Sequence, residues 1–407
     1  MNGKKLLWIS LFTPYDGIKH AGGKIENYYL KFLKGACPNI DIHVLSFSGE
    51  DEIPFFDLDK YNIDNDIYIY KKGVKSKISR TFKYNLLDSK YNPFNKYANS
   101  VSNEFLAVSK KKLKRYYAQR YKPDVIILQW TQAVFLAQYI KSIFPLAKII
   151  CIEEDVSYLR NERRVENAKN CFGKIIAKHK YNTLKIEELN SLKHADVVIN
   201  NNYKDYNLLI KEGIDKNKLM VWCPYFDNYS EVQRFDTDNS IVFYGAMSRE
   251  ENYQSAIWFI ENVMSKLPEE ITLNVVGANP PKKLFAYENN RIHITGFVED
   301  VRPYFSKALC LVVPLLLGAG IKIKVLEGMS AGVPILTNDI GIEGIPAESG
   351  SDYLHCKMPE EYVEAILKIK NNPELRIILS ENGRTVIKRY FNIKESSKNF
   401  KELIESL

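Results

Sequence analysis

The 407-residue sequence predicts an α/β chain built as two doubly wound domains, each a parallel sheet wrapped by helices, facing a cleft. Three observations predict it. Strand signals recur with helical segments between them: LLWISLF, IDIHVLSF, DIYIY, DVIILQW, KIICIEE and DVVIN first, then IVFYGA, ITLNVVGA, RIHITGF, LCLVVPL and VPILTN. Between the two sets, residues 221–240 lose periodicity and turn polar, which marks a linker. The length suits two domains of ordinary size. The expected divisions are residues 1–225, a linker over 226–239, and residues 240–391.

Composition narrows the class. Apolar residues make up 45% and charged residues 26%, the balance of a soluble globular chain. No stretch approaches the roughly 18 apolar residues that span a bilayer. MNGKKLLWISLF imitates a signal peptide but runs into Pro14-Tyr15-Asp16 without a cleavage site, so it reads as the first strand. The six cysteines are scattered without a CxxC pair, consistent with a reduced, cytoplasmic protein. The net charge of +8 is uneven: residues 1–235 carry 38 Lys and Arg against 26 Asp and Glu, the remainder 19 against 23. A basic first half calls for an anionic partner surface, a membrane or a polyanion. No nucleic-acid motif accompanies the charge, so nucleic acid is not the expected partner.

In an open α/β sheet the ligand sits beyond the carboxyl ends of the strands, so the loops after each strand are the places to look. After the first strand, Gly22-Gly23 precede a helix predicted to start near Lys24. Free N–H groups there suit a phosphate, or the glycines simply cap a helix. His20, in the same loop, is the one histidine of six placed for chemistry. Farther on, Lys71 to Lys122 interleaves lysine with tyrosine in KKGVKSKISRTFKY and SKKKLKRYYAQRYK, as a membrane-surface element or a solvated helix face would. After KIICI come Glu153, Glu154 and Asp155. A carboxylate at a strand end can orient a hydroxyl or take its proton, or it can pair with Arg160, Arg163 or Arg164.

Residues 308–345 concentrate the signals of the second half. The apolar run from Cys310 to Leu317 contains Pro314 and reads as a buried strand that stops near the proline. Gly318, Ala319 and Gly320 let a ligand approach the backbone. Ile321, Val325 and Met329 form the stripe of a helix that Gly332 and Pro334 end. A glycine loop feeding a helix N-terminus suits a phosphate; Lys322 and Lys324 add charge, and Glu327, one turn in, is placed to accept from a ribose. The alternative is a capped helix with solvated lysines. Three DxD triplets, Asp57/Asp59, Asp64/Asp66 and Asp236/Asp238, lie in polar stretches or the linker rather than at strand ends, so no metal is expected. No GxGxxG follows the first strand.

This segment, GAG-lysine followed by LEGMSAGVP, resembles the donor-binding signature of the retaining GT-B glycosyltransferases, family 4 or glycosyl transferases group 1. IVFYGAMSREENYQSAIWFIENV, VVGANP and TGFVEDVRPYF extend the resemblance over about the last 170 residues. It implies two Rossmann-like domains and transfer of a hexose, with retention and without a metal, from a nucleotide diphosphate sugar to a glycan or polyprenol-linked acceptor. Surface polysaccharide or glycoconjugate synthesis, with the protein peripheral at the inner membrane face, is the implied setting. It further implies donor contacts from Gly22, Gly23, Gly245, Ala246, Met247, Ser248, Arg249, Val298, Gly318, Ala319, Gly320 and Glu327, with His20 and Lys24 on the acceptor side. The helix over 392–407 resembles one that crosses back to the first domain. Two departures stand out. Glu154 occupies the place of a histidine near the reacting sugar, with Asp155 where an asparagine often stands, so both carboxylates are the catalytic candidates there. Many relatives also clamp the diphosphate with an arginine and a lysine; this chain has Arg249 but Asn252, and charge balance nominates Lys322 or Lys324 instead. These departures keep two other outcomes open, an inactive sugar- or membrane-binding partner and a nucleotide-sugar epimerase or hydrolase.

Overall fold

The computed structural model describes residues 3–85, 101–166, 168, 170–234 and 236–407, in two compact units: Met1–Tyr225 with Ile393–Leu407, and Phe226–Asn392. In the first unit, β1 (Lys5–Ile9), α1 (Ala21–Ala36), β2 (Asp41–Gly49), β3 (Asp64–Tyr70), α2 (Val74–Asn85) and α3 (Asn103–Ala118) come first. They are followed by β4 (Val125–Gln129), α4 (Thr131–Val134), α5 (Ala137–Ile143), β5 (Lys148–Glu153), α6 (Tyr158–Glu166), α7 (Cys171–Leu192), β6 (Val197–Asn200), α8 (Tyr203–Lys211) and β7 (Leu219–Val221). The second unit holds β8 (Ser240–Tyr244), α9 (Glu250–Asn262), β9 (Thr272–Val276), α10 (Lys282–Phe285), β10 (Ile292–Gly296) and α11 (Arg302–Lys307). It continues with β11 (Cys310–Val313), α12 (Ile323–Ser330), β12 (Ile335–Thr337), β13 (Leu354–His355), α13 (Pro359–Asn371) and α14 (Pro373–Tyr390). The last helix, α15 (Ile393–Ser406), belongs to the first unit.

Both sheets are parallel and wound alike, in the orders β3-β2-β1-β4-β5-β6-β7 and β10-β9-β8-β11-β12-β13. The winding reverses between β1 and β4 in one and between β8 and β11 in the other. At such a point the loops on the two sides part and leave a crevice at the carboxyl ends of the strands. The central strands carry apolar residues on both faces because helices cover both: Leu6, Leu7, Trp8 and Ile9 of β1 and Leu311, Val312 and Val313 of β11 are wholly buried. β7 and β13 were not legible as strands, being three and two residues long at sheet edges.

The α15 helix is fastened to the first unit by Lys4 Nζ, which donates to Ile404 O at 2.7 Å. Phe400 packs edge-on against Trp8 and Trp222, at 6.3 and 5.1 Å between ring centres.

One expectation is corrected here and one alternative is decided. The segment read as a polar linker has apolar anchors: Trp222 stacks on Tyr29 at 3.9 Å, and Phe226 and Val232 are buried. The single apolar residues among polar ones defeat a periodicity argument. The basic tract also divides. SKKKLKRYY lies in α3, which packs Phe105, Leu106, Val108, Leu113 and Tyr116 into the core, and Lys112 and Arg115 both pair with Asp66. That part takes the solvated-face alternative: α3 buries its apolar side and leaves Lys111, Lys114 and Arg115 exposed. Residues 86–100 of the same tract lie outside the described residues. All six cysteines are free thiols, and only Cys171 is exposed. Among the described residues no helix is long and apolar enough to cross a membrane.

Candidate functional site

At the switch point of the second unit, β8 ends in Tyr244 and turns at Gly245, whose φ is +150°. That φ calls for glycine, and a methyl group there would lie 2.6 Å from Lys324 Nζ and push the ammonium aside. Gly277, at the end of β9, packs so closely that a methyl group would meet the Gly245 carbonyl at 1.7 Å. The turn is then held by Asn252, a buried residue of α9: its Nδ2 donates to Ala246 O at 2.8 Å and its Oδ1 accepts from Lys324 Nζ at 2.6 Å. Asn252, which reads in the sequence as a missing lysine, is the residue that aims Lys324 at the Gly245 turn.

Lys324 is half-buried as a residue, but its ammonium ends deep against Asn252 and Gly245. Burial, with the nearby Arg249 and Lys322 cations, pulls its pKa down to about 7. The solvated-lysine alternative therefore fails for Lys324. Lys322 has a different occupation. It is the N-cap of α12, and its Nζ donates to Ala319 O at 3.1 Å and to Gly320 O while pairing with the buried Glu343 at 3.6 Å. Lys322 thus shapes the loop of Gly318 (φ +139°), Ala319 and Gly320 (φ +68°). Glu343 comes from the loop after β12.

Glu327, only 4% exposed, sits one turn into α12. Sequence reasoning missed its neighbours. Tyr244 and Tyr229 lie beside it, and burial together with the Glu327 carboxylate raises both phenols. Each tyrosine also meets Phe305 edge-on, at 5.6 and 5.7 Å. Arg249 caps α9 and pairs with Glu251; Ser248 is exposed. Val298 is half-buried just beyond β10, next to the exposed Phe297. Met247 turns its side chain wholly into the core and donates its N–H to Ala278 O at 2.9 Å, so neither its side chain nor its N–H faces a ligand. The residue continues an apolar pattern that the glycine turn interrupts.

The first unit gathers a second cluster at its own switch point. α1 begins at Ala21 rather than near Lys24, because His20 Nδ1 accepts from Gly23 N–H at 3.0 Å and caps the helix. That bond requires Nδ1 to be unprotonated, so a neutral His20 carries its proton on Nε2. Gly22 and Gly23 lie inside the first turn and serve packing: methyl groups there would meet Trp130 Cη2 at 1.9 Å and Ile18 Cδ1 at 2.4 Å. Lys24, half-buried, closes that turn through its N–H to His20 O at 3.1 Å. Glu154, just past β5, accepts from Gln129 Nε2 at 2.8 Å. Asp155 pairs with Arg160 at 3.1 Å, which realises the structural alternative for that residue.

Two members of this cluster escaped the sequence. Glu26, on α1, is wholly enclosed and accepts from Ser10 Oγ at 2.6 Å and Trp130 Nε1 at 3.3 Å. Burial, with the Glu154 charge adding to it, pushes its pKa up to about 8. Trp130, just past β4, has φ +76° and ψ 143°, a region costing a non-glycine residue about 1–3 kcal/mol. Below them, Glu153 and Glu188 form a wholly buried carboxyl pair. Glu188 accepts from Ser157 and Tyr158 N–H at 2.7 and 3.2 Å, and burial beside Glu188 raises Glu153 well above its ordinary value.

One carboxylate of each DxD triplet is engaged elsewhere. Asp57 pairs with Lys31, Asp66 with Lys112 and Arg115, and Asp238 accepts from Ser240 N–H.

Residues 238–372 match the family model described as Glycosyl transferases group 1. A curated relative, an uncharacterized glycosyltransferase of Methanocaldococcus jannaschii, is 25% identical over 286 residues, 65% of this chain and 69% of the relative. Among solved structures, sucrose-phosphate synthase of Thermosynechococcus elongatus superposes with a TM-score of 0.73 at 14% identity, covering 99% of this chain and 98% of that one. Anabaena HepE in complex with UDP superposes with a TM-score of 0.66 at 12% identity, covering 99% and 100%. The fold is GT-B: two parallel-sheet, Rossmann-like α/β domains. Together these likenesses support a glycosyltransferase.

Proposed function

We propose that this chain transfers a hexose from a nucleoside diphosphate sugar to a hydroxyl of a glycan or lipid-linked glycan, with retention and without a metal. The observation that carries the donor half is Lys324, held by Asn252 against the Gly245 turn beside two cations and near the start of α12. A lysine destabilised in that way gains most from a ligand that brings negative charge, and a diphosphate does. Glu327 then accepts the ribose hydroxyls, Val298 and its neighbours present backbone to the base, and Gly318 to Gly320 bring N–H groups toward the diphosphate. In the reaction the anomeric carbon–oxygen bond to the diphosphate breaks and the acceptor oxygen bonds to that carbon. Lys324 and the α12 N-terminus stabilise the departing charge. Glu154 orients the acceptor hydroxyl or takes its proton.

UDP is the first ligand to try, because HepE has been solved with it. A thermal-shift screen of nucleoside diphosphates tests the reading, since a ligand at 100 times its Kd adds about 2.7 kcal/mol to stability. A concentration-dependent rise with one of them is expected; no rise with any would remove the donor assignment. Chelator should leave turnover unchanged.

A membrane-borne acceptor is supported by α2. Val74, Ile78 and Phe82, spaced four apart, are 76, 59 and 70% exposed, with exposed Lys71, Lys75 and Lys83 alongside. An apolar stripe flanked by cations suits an anionic leaflet in surface polysaccharide synthesis. Co-flotation with phosphatidylglycerol vesicles at low salt, weakened by Phe82→Ser, is the expected result; its absence removes this part.

A further inference from the structure

Trp130 is the most unusual residue of the first unit, and the donor chemistry has no use for it. Four observations converge there. Its backbone holds a positive φ, which a bulky side chain avoids unless its surroundings impose it. Its indole N–H is tied to the enclosed carboxyl of Glu26. Its six-membered ring rests on Gly22, where Glu154 also arrives: a methyl group on Gly22 would lie 1.9 Å from Trp130 Cη2 and 2.7 Å from Glu154 Oε2. Phe12 and His20 complete the group, with ring centres 5.2 and 5.9 Å from the indole. Although fixed on several sides, Trp130 is not sealed in; it is half-buried, as are Phe12, His20 and Glu154.

The chemistry of that group is specific. A pyranose presents a face of C–H bonds and a rim of hydroxyls. An aromatic ring packs against the C–H face, while a carboxylate and an imidazole reach the rim. Trp130, with Glu154 and His20 beside it, supplies both elements on one patch, at the switch point of β1 and β4 where a ligand site is expected.

We propose that Trp130 is the stacking platform for the acceptor sugar, with Glu154 and His20 reading its hydroxyls and Glu26 acting as the positioning residue that fixes the indole. This rests on the sugar-transfer reading for the word acceptor, but the site itself is a sugar site whichever reaction it serves. The sequence signals His20, Gly22 and Glu154 singly but gives no sign of Phe12, Glu26 and Trp130, because the six come from three separate strand-end loops and one helix.

The test uses the whole chain labelled with 5-fluorotryptophan. It has four tryptophans, Trp8, Trp130, Trp222 and Trp258, and the Trp130 resonance is identified by its loss in Trp130→Phe or, should that variant fold poorly, Trp130→Tyr. Methyl glycosides of glucose, galactose, mannose and N-acetylglucosamine are titrated in. A saturable shift at Trp130, with the buried Trp8 and Trp222 unmoved, is expected for at least one of them. In Glu26→Gln the shift should persist, since a glutamine still accepts from the indole, whereas in Glu26→Leu it should weaken several-fold. No shift at Trp130 with any glycoside, or an equal drift of all four resonances, overturns the proposal. Failure of the donor reading is seen separately, as the absence of nucleotide binding, and would leave a Trp130 response standing.

Discussion

Lys324 and Glu26 occupy matching places, each at the switch point of its sheet, and burial drives both toward neutrality: Lys324 down to about 7 and Glu26 up to about 8. Their surroundings differ. Glu26 receives two protein donors, Ser10 and Trp130, on one carboxyl oxygen, Oε2. Lys324 lies among charges of both signs, Arg249 and Lys322 against Glu251 and Glu327, and Asn252 accepts from its ammonium. A buried group held by donors of the protein fixes the side chains that donate to it; a buried ammonium is relieved by an anionic ligand.

The comparison can be broken in several ways, and the largest effect belongs to a third residue. Glu327→Ala should weaken UDP binding tenfold or more and lower turnover with it. Each charge-assisted hydrogen bond to the ribose is worth about 1.5–3 kcal/mol. Lys324→Met should come next, costing several-fold to tenfold in UDP affinity at pH 7. In the wild type the diphosphate keeps Lys324 charged, so binding above about pH 7 takes up a proton and the Kd should rise with pH, approaching tenfold per unit. That slope should vanish in Lys324→Met; a slope unchanged by the substitution would assign it to another group.

Glu26→Gln should produce the smallest change, visible as a pH profile of stability. Its folded pKa is raised, so between about 4.5 and 8 the folded state binds more protons than the unfolded one and loses stability as pH rises. Glutamine imitates the protonated acid and cannot titrate. The variant should melt close to wild type at pH 5 and above it at pH 9, with the difference read by calorimetry. A Glu26→Gln variant less stable at both pH values would show that the carboxyl is ionised in the native protein.

The sheets were legible because buried parallel strands are read from local apolar runs, and the Gly318–Glu327 segment because its loop, cap and helix are contiguous. What could not be read depends on contacts across the sequence. Asn252 looks like a lost lysine until Lys324, 72 residues on, is seen to meet it. Met247 looks like part of a loop because no local pattern reveals that its side chain turns into the core. The cationic tract at 110–115 gives no local sign that Lys112 and Arg115 share Asp66, which lies on β3. Trp130 carries no motif at all; its strain exists only in the folded backbone.

The central claim is that the crevice between β8 and β11 binds a nucleoside diphosphate through Glu327 and Lys324. Titration calorimetry of UDP with the wild type and with Glu327→Ala at pH 7 tests it most directly. One-site binding to the wild type and at least tenfold weaker binding to the variant are expected. Equal affinity in the two proteins would contradict it.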